Sequence, residues 1–270
     1  MNRPQLFTFD GQARSGKGTI VHAVKRSLQA RNIKTMLIDA GQVFRVLVVS
    51  AHEHGVDVDS PESIDQFLSD EKMLHETTDL VKKVYHMDHA ERDALLYTNE
   101  VGANSAKFGA RPLAQDFKDN LVRKWLHDAS DEGYRVVLMD GRALEEVGVQ
   151  LESEGFCDFR AGFYFVSDPR IGARRTLGYY DVPYDKLTDE QRREVDDFTD
   201  QIIERNRADS ERERQPIVPP VGATTYKLPD FDMEITGNER QMAIIDTSAD
   251  VTIQQMTGPI VAMFDKISDL

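Results

Sequence analysis

The sequence predicts an α/β fold: a five-stranded parallel sheet flanked by helices, with a lobe inserted between its second and third strands. Three observations predict it. Short apolar, β-rich runs at residues 6–9, 34–39, 135–140, 159–166 and 242–246 alternate with helix-like stretches, the pattern of strands joined by helical crossovers. Two of these runs end in ligand-type residues, Asp39 and Asp140-Gly141-Arg142, and a doubly wound sheet places its sites at that carboxyl edge. The first run enters a loop bounded by Gly11 and Gly16, followed by Lys17 and a helix.

That loop reads Gly11-Gln12-Ala13-Arg14-Ser15-Gly16-Lys17-Gly18-Thr19. Gly11 and Gly16 permit positive φ and turn backbone N–H groups inward. Lys17 brings a point charge to outer phosphates, and the helix N-terminus adds its partial positive charge. Gly18 stands where the general phosphate-loop pattern has Ser or Thr, and the hydroxyl comes one residue later, at Thr19. An ordinary glycine turn is the alternative; the strand before the loop and the helix after it, with Ile20, Val24 and Leu28 on one face, favour the phosphate loop.

The second strand, 34–39, turns through Ala40-Gly41 into a helix over 42–52 that stops near Gly55. Ser60-Pro61-Glu62 is a helix start, with Ser as cap and Pro at the first position. Residues 81–86 and 94–98 are β-rich and predict a hairpin within the inserted lobe. Leu113, Phe117, Leu121 and Trp125, four apart, predict an amphipathic helix over 112–127. The strand at 135–140 reads as the best buried strand in the chain. After the fourth strand Asp168 caps a helix with Pro169 in its first turn, carrying Arg170, Arg174 and Arg175. Residues 179–186 are a break, and Thr188 with Gln191 forms a capping box opening a long polar helix. Residues 216–237, rich in proline, are an irregular loop. Thr252 and Gln255 cap a final helix that Gly258-Pro259 is expected to kink. The organisation expected is therefore a core of residues 1–55, 133–168 and 242–270, a lobe of 56–132, a helical segment of 169–215, and an irregular loop of 216–241.

Composition narrows the partners. Lys and Arg number 33 against 47 Asp and Glu, a net charge of −14, which argues against non-specific binding to nucleic acid or to an anionic membrane. No apolar run approaches the ~20 residues of a membrane span. The N-terminus has no apolar leader segment, and the single cysteine, Cys157, fits a reducing compartment; the expectation is a cytoplasmic protein, and a monomer.

Residues 204–214 alternate in sign, which suits a solvated helix laced with ion pairs four apart. They also put Arg205, Asp209 and Arg212 on one face, where two guanidinium forks suit phosphate oxygens and a carboxylate suits ribose hydroxyls. Spacing alone does not separate these two readings. His52-x-His54 and His86-x-x-His89 lack nearby cysteine and do not make a metal site.

Several motifs in order resemble bacterial cytidylate kinases, within the phosphate-loop nucleoside monophosphate kinases. Gly-Lys-Gly-Thr at 16–19 is similar to that family's phosphate loop. Asp39 through Arg45 is similar to its Asp-Ser-Gly-x-x-Tyr-Arg, and Asp140-Gly141-Arg142 to the start of its Asp-Gly-Arg-Asp. Glu204-Arg205 through Asp209 and Arg212 is similar to its Glu-Arg-x-x-x-Asp-x-x-Arg, followed by a proline segment at 216–219 and a closing strand at 245–248. The resemblance runs the length of the chain and implies transfer of the γ-phosphoryl of ATP, with Mg²⁺, to a nucleoside monophosphate. It implies that the lobe 56–132 binds the acceptor and that 169–215 forms a lid with the arginine-bearing helix. Gly11, Arg14, Ser15, Gly16, Lys17, Gly18, Thr19, Arg174 and Arg175 would then serve ATP. Arg45, Arg142 and Arg212 would hold the acceptor phosphate and Arg205 and Asp209 its ribose, with Asp39 beside them and Ser105 and Arg111 at the base. Lys17, Arg142 and Arg212 would be catalytic. Mg²⁺ would be held by phosphates and water, with Thr19 or Asp140 at most indirect.

The sequence departs from the family where Arg14 replaces a glycine, Ala40 a serine, and Ala143 the aspartate that in the family contacts cytosine. Base identity is therefore open between CMP or dCMP and another or modified pyrimidine nucleotide. A nucleotide-binding regulatory protein without transfer activity is the alternative from another class; Lys17, Arg142 and Arg212 argue against it.

Overall fold

The computed structural model describes residues 3–212, 215–236, 239–267 and 270. Glu213 and Arg214 of the polar run, Gly237 at the end of the proline-rich loop and the first two residues lie outside the described residues, as does the side chain of His89. The chain forms two compact units, one of residues 1–38 and 126–270, the other of residues 39–125.

The first unit is built on a sheet of six strands in the order β2-β3-β1-β4-β6-β5. These are β1 (Gln5–Gly11), β2 (Thr35–Asp39), β3 (Val136–Asp140), β4 (Asp158–Val166), β5 (Thr224–Lys227) and β6 (Gln241–Asp246). β1 lies between β3 and β4, parallel to both, with Phe9 opposite Asp140 and Gly11 opposite Phe165. β6 continues the parallel pairing with β4, and β5 with β6. The central strands read as near-continuous apolar runs because helices cover both faces. On one face Phe7, Phe9, Phe163 and Phe165 meet α1 (Lys17–Ala30) and α11 (Ile253–Asp265), with Phe264 in ring contact with Phe7, Phe9 and Phe163. Ile20, Val21, Val24 and Leu28 of α1 are fully buried, each stabilising the fold by about 1.5–3 kcal/mol. The expected five strands become six because Thr224–Lys227 is itself a strand. Its two threonines and tyrosine are β-formers, but they sit in a proline-rich stretch and supply only four residues. An edge position, paired on one side, tolerates so short a strand.

The remaining elements of this unit are α8 (Leu144–Ser153), α9 (Pro169–Thr176), a short 3₁₀ turn at Tyr184–Lys186 and α10 (Asp189–Ser210). α9 and α10 pack through Ala173, Leu187, Val195 and Ile202. Thr188 and Gln191 close the expected capping box, and Asp168 caps α9. Pro259 lies inside α11.

The second unit is helical: α2 (Ala40–Glu53), α3 (Pro61–Ser69), α4 (Glu71–Tyr85), α5 (His89–Leu96), α6 (Asn99–Gly109) and most of α7 (Pro112–Asp131). The hairpin expected at 81–86 and 94–98 does not form. Asp70 caps α4 through the amides of Lys72 and Met73, and Thr77, Val81 and Val84 fall on one buried helical face. The 3.6-residue period therefore wins over the local β-preference of the valines. Ser60 caps α3 as its Ser-Pro-Glu start requires. α6 has no apolar stripe in the sequence to announce it; Thr98 caps it, and Val101 and Phe108 anchor it.

Candidate active site

The carboxyl end of β1 carries Asp10 and Gly11 into the glycine-bounded loop. Gly11 has φ 131°, and a Cβ there would lie 2.2 Å from the Phe165 carbonyl oxygen, so only glycine lets the loop leave the strand beside β4. Gly16, at φ 81°, stands immediately before α1. The loop is braced on several sides. The Gln12 N–H donates to the Phe165 carbonyl, and the Gln12 Oε1 accepts the Ser167 N–H at 3.1 Å. Ser15, buried, donates its hydroxyl to the Gln12 carbonyl, and Thr247 at the end of β6 donates to the Ser15 carbonyl at 2.8 Å. Arg14, at φ 58°, lays its guanidinium over the Phe198 ring, 5.5 Å from the centroid. These contacts brace the loop against β4, the residue after β6 and α10.

Lys17 opens α1 and forms an ion pair with Asp140 at the end of β3. Thr19, in the first turn of the helix, is exposed. After Asp140 the chain turns through Gly141-Arg142-Ala143 into α8. Ala143 holds φ 54° and offers no capping side chain. Asp10 supplies the missing cap from the neighbouring strand, its Oδ2 accepting the Leu144 N–H at 2.7 Å and its Oδ1 the Gly11 N–H at 2.6 Å. Burial pushes the Asp10 carboxyl above its ordinary range, against these hydrogen bonds and the nearby charges of Lys17 and Arg142. Ala143, Glu145 and Glu146 line, with Asp10 and Gln215, a cleft of about 90 Å³.

Three guanidiniums gather around one buried carboxylate. Asp209, near the end of α10, is in contact with Arg142; Arg212 Nη2 lies 2.5 Å from its Oδ1 and Arg205 Nε 3.9 Å from its Oδ2. The Asp209 side chain is only 7% exposed. The three guanidiniums share Asp209 as an ion-pair partner. Desolvation, with repulsion from Arg205 and Arg212, pushes Arg142 down to about 9, still cationic at neutral pH. Desolvation also lowers Arg212. Arg205, Asp209 and Arg212 do come together, although α10 ends at Ser210 and Arg212 lies beyond it, and Arg142 joins them from the turn after β3.

Arg174 is 4% exposed; its guanidinium pairs with Asp250 at 2.9 Å and donates to the Val182 carbonyl. Arg175 donates to the Ala249 carbonyl at 2.6 Å. Both arginines hold the α9–α10 segment against the loop that follows β6. In the second unit, Asp39 caps α2 through the Gln42 N–H, and the Tyr97 hydroxyl donates to Asp39 at 3.3 Å. The Arg45 guanidinium stacks over the Tyr97 ring at 4.5 Å and donates to the Leu96 carbonyl. Burial pushes the Tyr97 phenol up to about 12, so it stays a neutral donor. Ser105 donates to the Gly102 carbonyl, and Arg111 forms an ion pair with Asp65. His54 bridges the Ser50 carbonyl and Glu76. Among the described residues, no group of three or more His, Cys, Asp or Glu is arranged to hold a metal ion, and no helix is long and apolar enough to cross a membrane.

Sequence reasoning missed Asp10, Gln12, Asn206 and Tyr97. Asp10 carried a weak signal, an acid next to the loop glycine; the others bond to partners far away in the chain, which no local pattern reports.

A family model described as cytidylate kinase matches residues 7–228. The chain is 26% identical to the cytidylate kinase of Bacillus pumilus over 99% of both chains. It is 27% identical to that of Shewanella baltica over 80% of this chain and 84% of that protein. With the Vibrio cholerae cytidylate kinase it shares 30% identity over 53% of this chain and 58% of that protein. The match takes in the phosphate loop, the Asp140-Gly141-Arg142 turn and the arginines around Asp209, and the chain belongs to the cytidylate kinase family: it is an ATP-dependent nucleoside monophosphate kinase.

Proposed function

We propose that the chain transfers the γ-phosphoryl of ATP to a pyrimidine nucleoside monophosphate in the cytoplasm, CMP or dCMP first among them. The observation that carries this reading is the cluster of Arg142, Arg205 and Arg212 around Asp209, on the same unit as the phosphate loop. Gly11 to Thr19 takes the donor phosphates, Lys17 reaching the outer ones. Arg142 and Arg212 take the acceptor phosphate, and Arg205 and Asp209 the ribose. By the resemblance Arg174 and Arg175 serve ATP and Asp39, Arg45, Ser105 and Arg111 serve the acceptor. A phosphate shares Lys17 with Asp140 and Arg142 with Asp209, because displacing either pair outright would strand a largely buried carboxylate.

No covalent intermediate on the protein is required. The transferred phosphoryl spreads charge over its oxygens, so Lys17, Arg142 and Arg212 accelerate the step by positioning and by fixed positive charge. Gly18 lacks a hydroxyl, Thr19 is exposed and Asp140 is paired with Lys17, oxygen donors that suit indirect contacts to a hydrated ion rather than a protein cage. Mg²⁺ would be held mainly by phosphates and water, with Thr19 or Asp140 at most indirect, and would supply charge neutralisation.

The base is the finer question, and Ala143 bears on it. A carboxylate accepts from the exocyclic amine of cytosine and repels the O4 of uracil; a methyl group does neither. Its absence removes roughly 1–3 kcal/mol of discrimination, about 5- to 150-fold. ADP release measured with CMP, dCMP, UMP, dUMP and modified pyrimidine monophosphates tests the reading. We expect kcat/KM for the cytosine and uracil forms to differ by less than about 100-fold, and Ala143→Asp to widen the gap toward cytosine. Asp is also better suited than Ala to the left-handed backbone at this position. A wild-type preference for CMP of roughly a thousandfold or more would assign base reading to another group, Glu145 or Glu146 first. Inertness toward every pyrimidine would refute the substrate class.

A further inference from the structure

Asn206 follows Arg205 on α10 and points away from the acceptor role assigned to its neighbours. Its Oδ1 accepts the backbone N–H of Ala13, in the middle of the phosphate loop, at 2.9 Å. Two further contacts tie the same stretch to the same pair of helices. Arg14 stacks over Phe198, two turns earlier on α10. Gly172 of α9 faces the Arg14 carbonyl so closely that a Cβ would lie 2.9 Å from its oxygen. The helix that carries Arg205 and Asp209, with Arg212 just beyond its end, therefore also grips the loop that leads into Lys17.

We propose that Asn206 is a positioning residue that couples the two nucleotide sites: its bond to Ala13 locks the donor loop in register with the arginine-bearing helix. This rests on the donor and acceptor roles given above. Ordering α10 around an acceptor phosphate then aligns the loop for ATP. Because coupling free energies are reciprocal, ATP in the loop favours the acceptor by the same factor. The α9–α10 contact through Ala173, Val195 and Ile202 makes the pair a rigid carrier for this effect.

The test is titration of a non-hydrolysable ATP analogue with and without saturating CMP, in the wild type, Asn206→Ala and Asn206→Asp, with melting temperatures alongside. The wild type is expected to bind the analogue several-fold more tightly when CMP is present, within the roughly 5- to 150-fold range of such couplings. In Asn206→Ala, which suits a helix, that ratio should fall by roughly three- to tenfold, the loss of one hydrogen bond. Asn206→Asp keeps the acceptor oxygen and should keep most of the ratio; its added charge weakens both titrations alike and cancels. An unchanged ratio in Asn206→Ala, even with a lowered melting temperature, overturns the inference, as does a wild-type ratio of one or loss of coupling in Asn206→Asp equal to that in Asn206→Ala. A wild type that binds the analogue but no pyrimidine monophosphate removes the acceptor assignment and the inference with it.

Discussion

Asp209 is the residue on which the site's electrostatics turn. Buried, it is tolerable only because three guanidiniums face it, and they in turn are held close together only because it is there. The two partners of one ion pair therefore differ in what their removal does. Arg212 is about a third exposed, and Asp209 keeps Arg142 when it goes. Arg212→Ala should lower kcat/KM for the acceptor on the order of 10³-fold, as for an arginine stabilising phosphoryl transfer, while moving the melting temperature little. Asp209→Ala strands Arg142 among like charges and should cost several kcal/mol, within the roughly 3–5 of a broken buried pair, seen as a large fall in melting temperature. Activity that survives in Arg212→Ala with only stability changed would make the cluster a structural ion-pair network.

At the scale of elements, the phosphate loop depends on what packs behind it as much as on its own glycines. α9 approaches it at Gly172, where backbone meets backbone. Gly172→Ala improves helix propensity by up to ~1 kcal/mol, but the new Cβ meets the Arg14 carbonyl, and overpacking of this kind costs about 1–3 kcal/mol. The crowding should win: KM for ATP should rise and the melting temperature drop by a few degrees, both read from steady-state kinetics and a thermal scan. An unchanged KM with a higher melting temperature would show that α9 has room to withdraw without disturbing the loop. The same reasoning explains why α4 is helical despite its valines. A capping aspartate and one buried face outweigh a local preference worth a fraction of a kcal/mol per residue.

For the molecule as a whole, Cys157 reports on opening of the sheet-bearing unit. It sits fully buried beside the start of β4, and burial pushes its thiol up to about 12. Both the thiolate form and access to it are suppressed in the native protein, so alkylation by iodoacetamide at pH 8 should follow unfolding of this unit. ATP binds the folded form and should slow the reaction. Rapid alkylation of native protein, insensitive to nucleotide, would show that the chain around the start of β4 opens locally instead.

The sequence by itself determined what short range controls. The glycines, Lys17 and the strand before them set out the loop; Thr188 with Gln191 and Ser60 with Pro61 marked helix starts. Spacing grouped Arg205, Asp209 and Arg212, although α10 ends at Ser210 and leaves Arg212 beyond it, and motif order carried the family. It misread residues 81–98 because β-branched side chains in a short window do not reveal a helical period until the caps are seen. It passed over Thr224–Lys227 because so short an edge strand exists only by pairing with β6. Only the tertiary structure decided that Arg142 pairs with Asp209, that Asp10 caps α8, and that Asn206 holds Ala13 from 193 residues away. Those contacts close long loops, and a hydrogen bond between distant residues leaves no mark on the sequence around either partner.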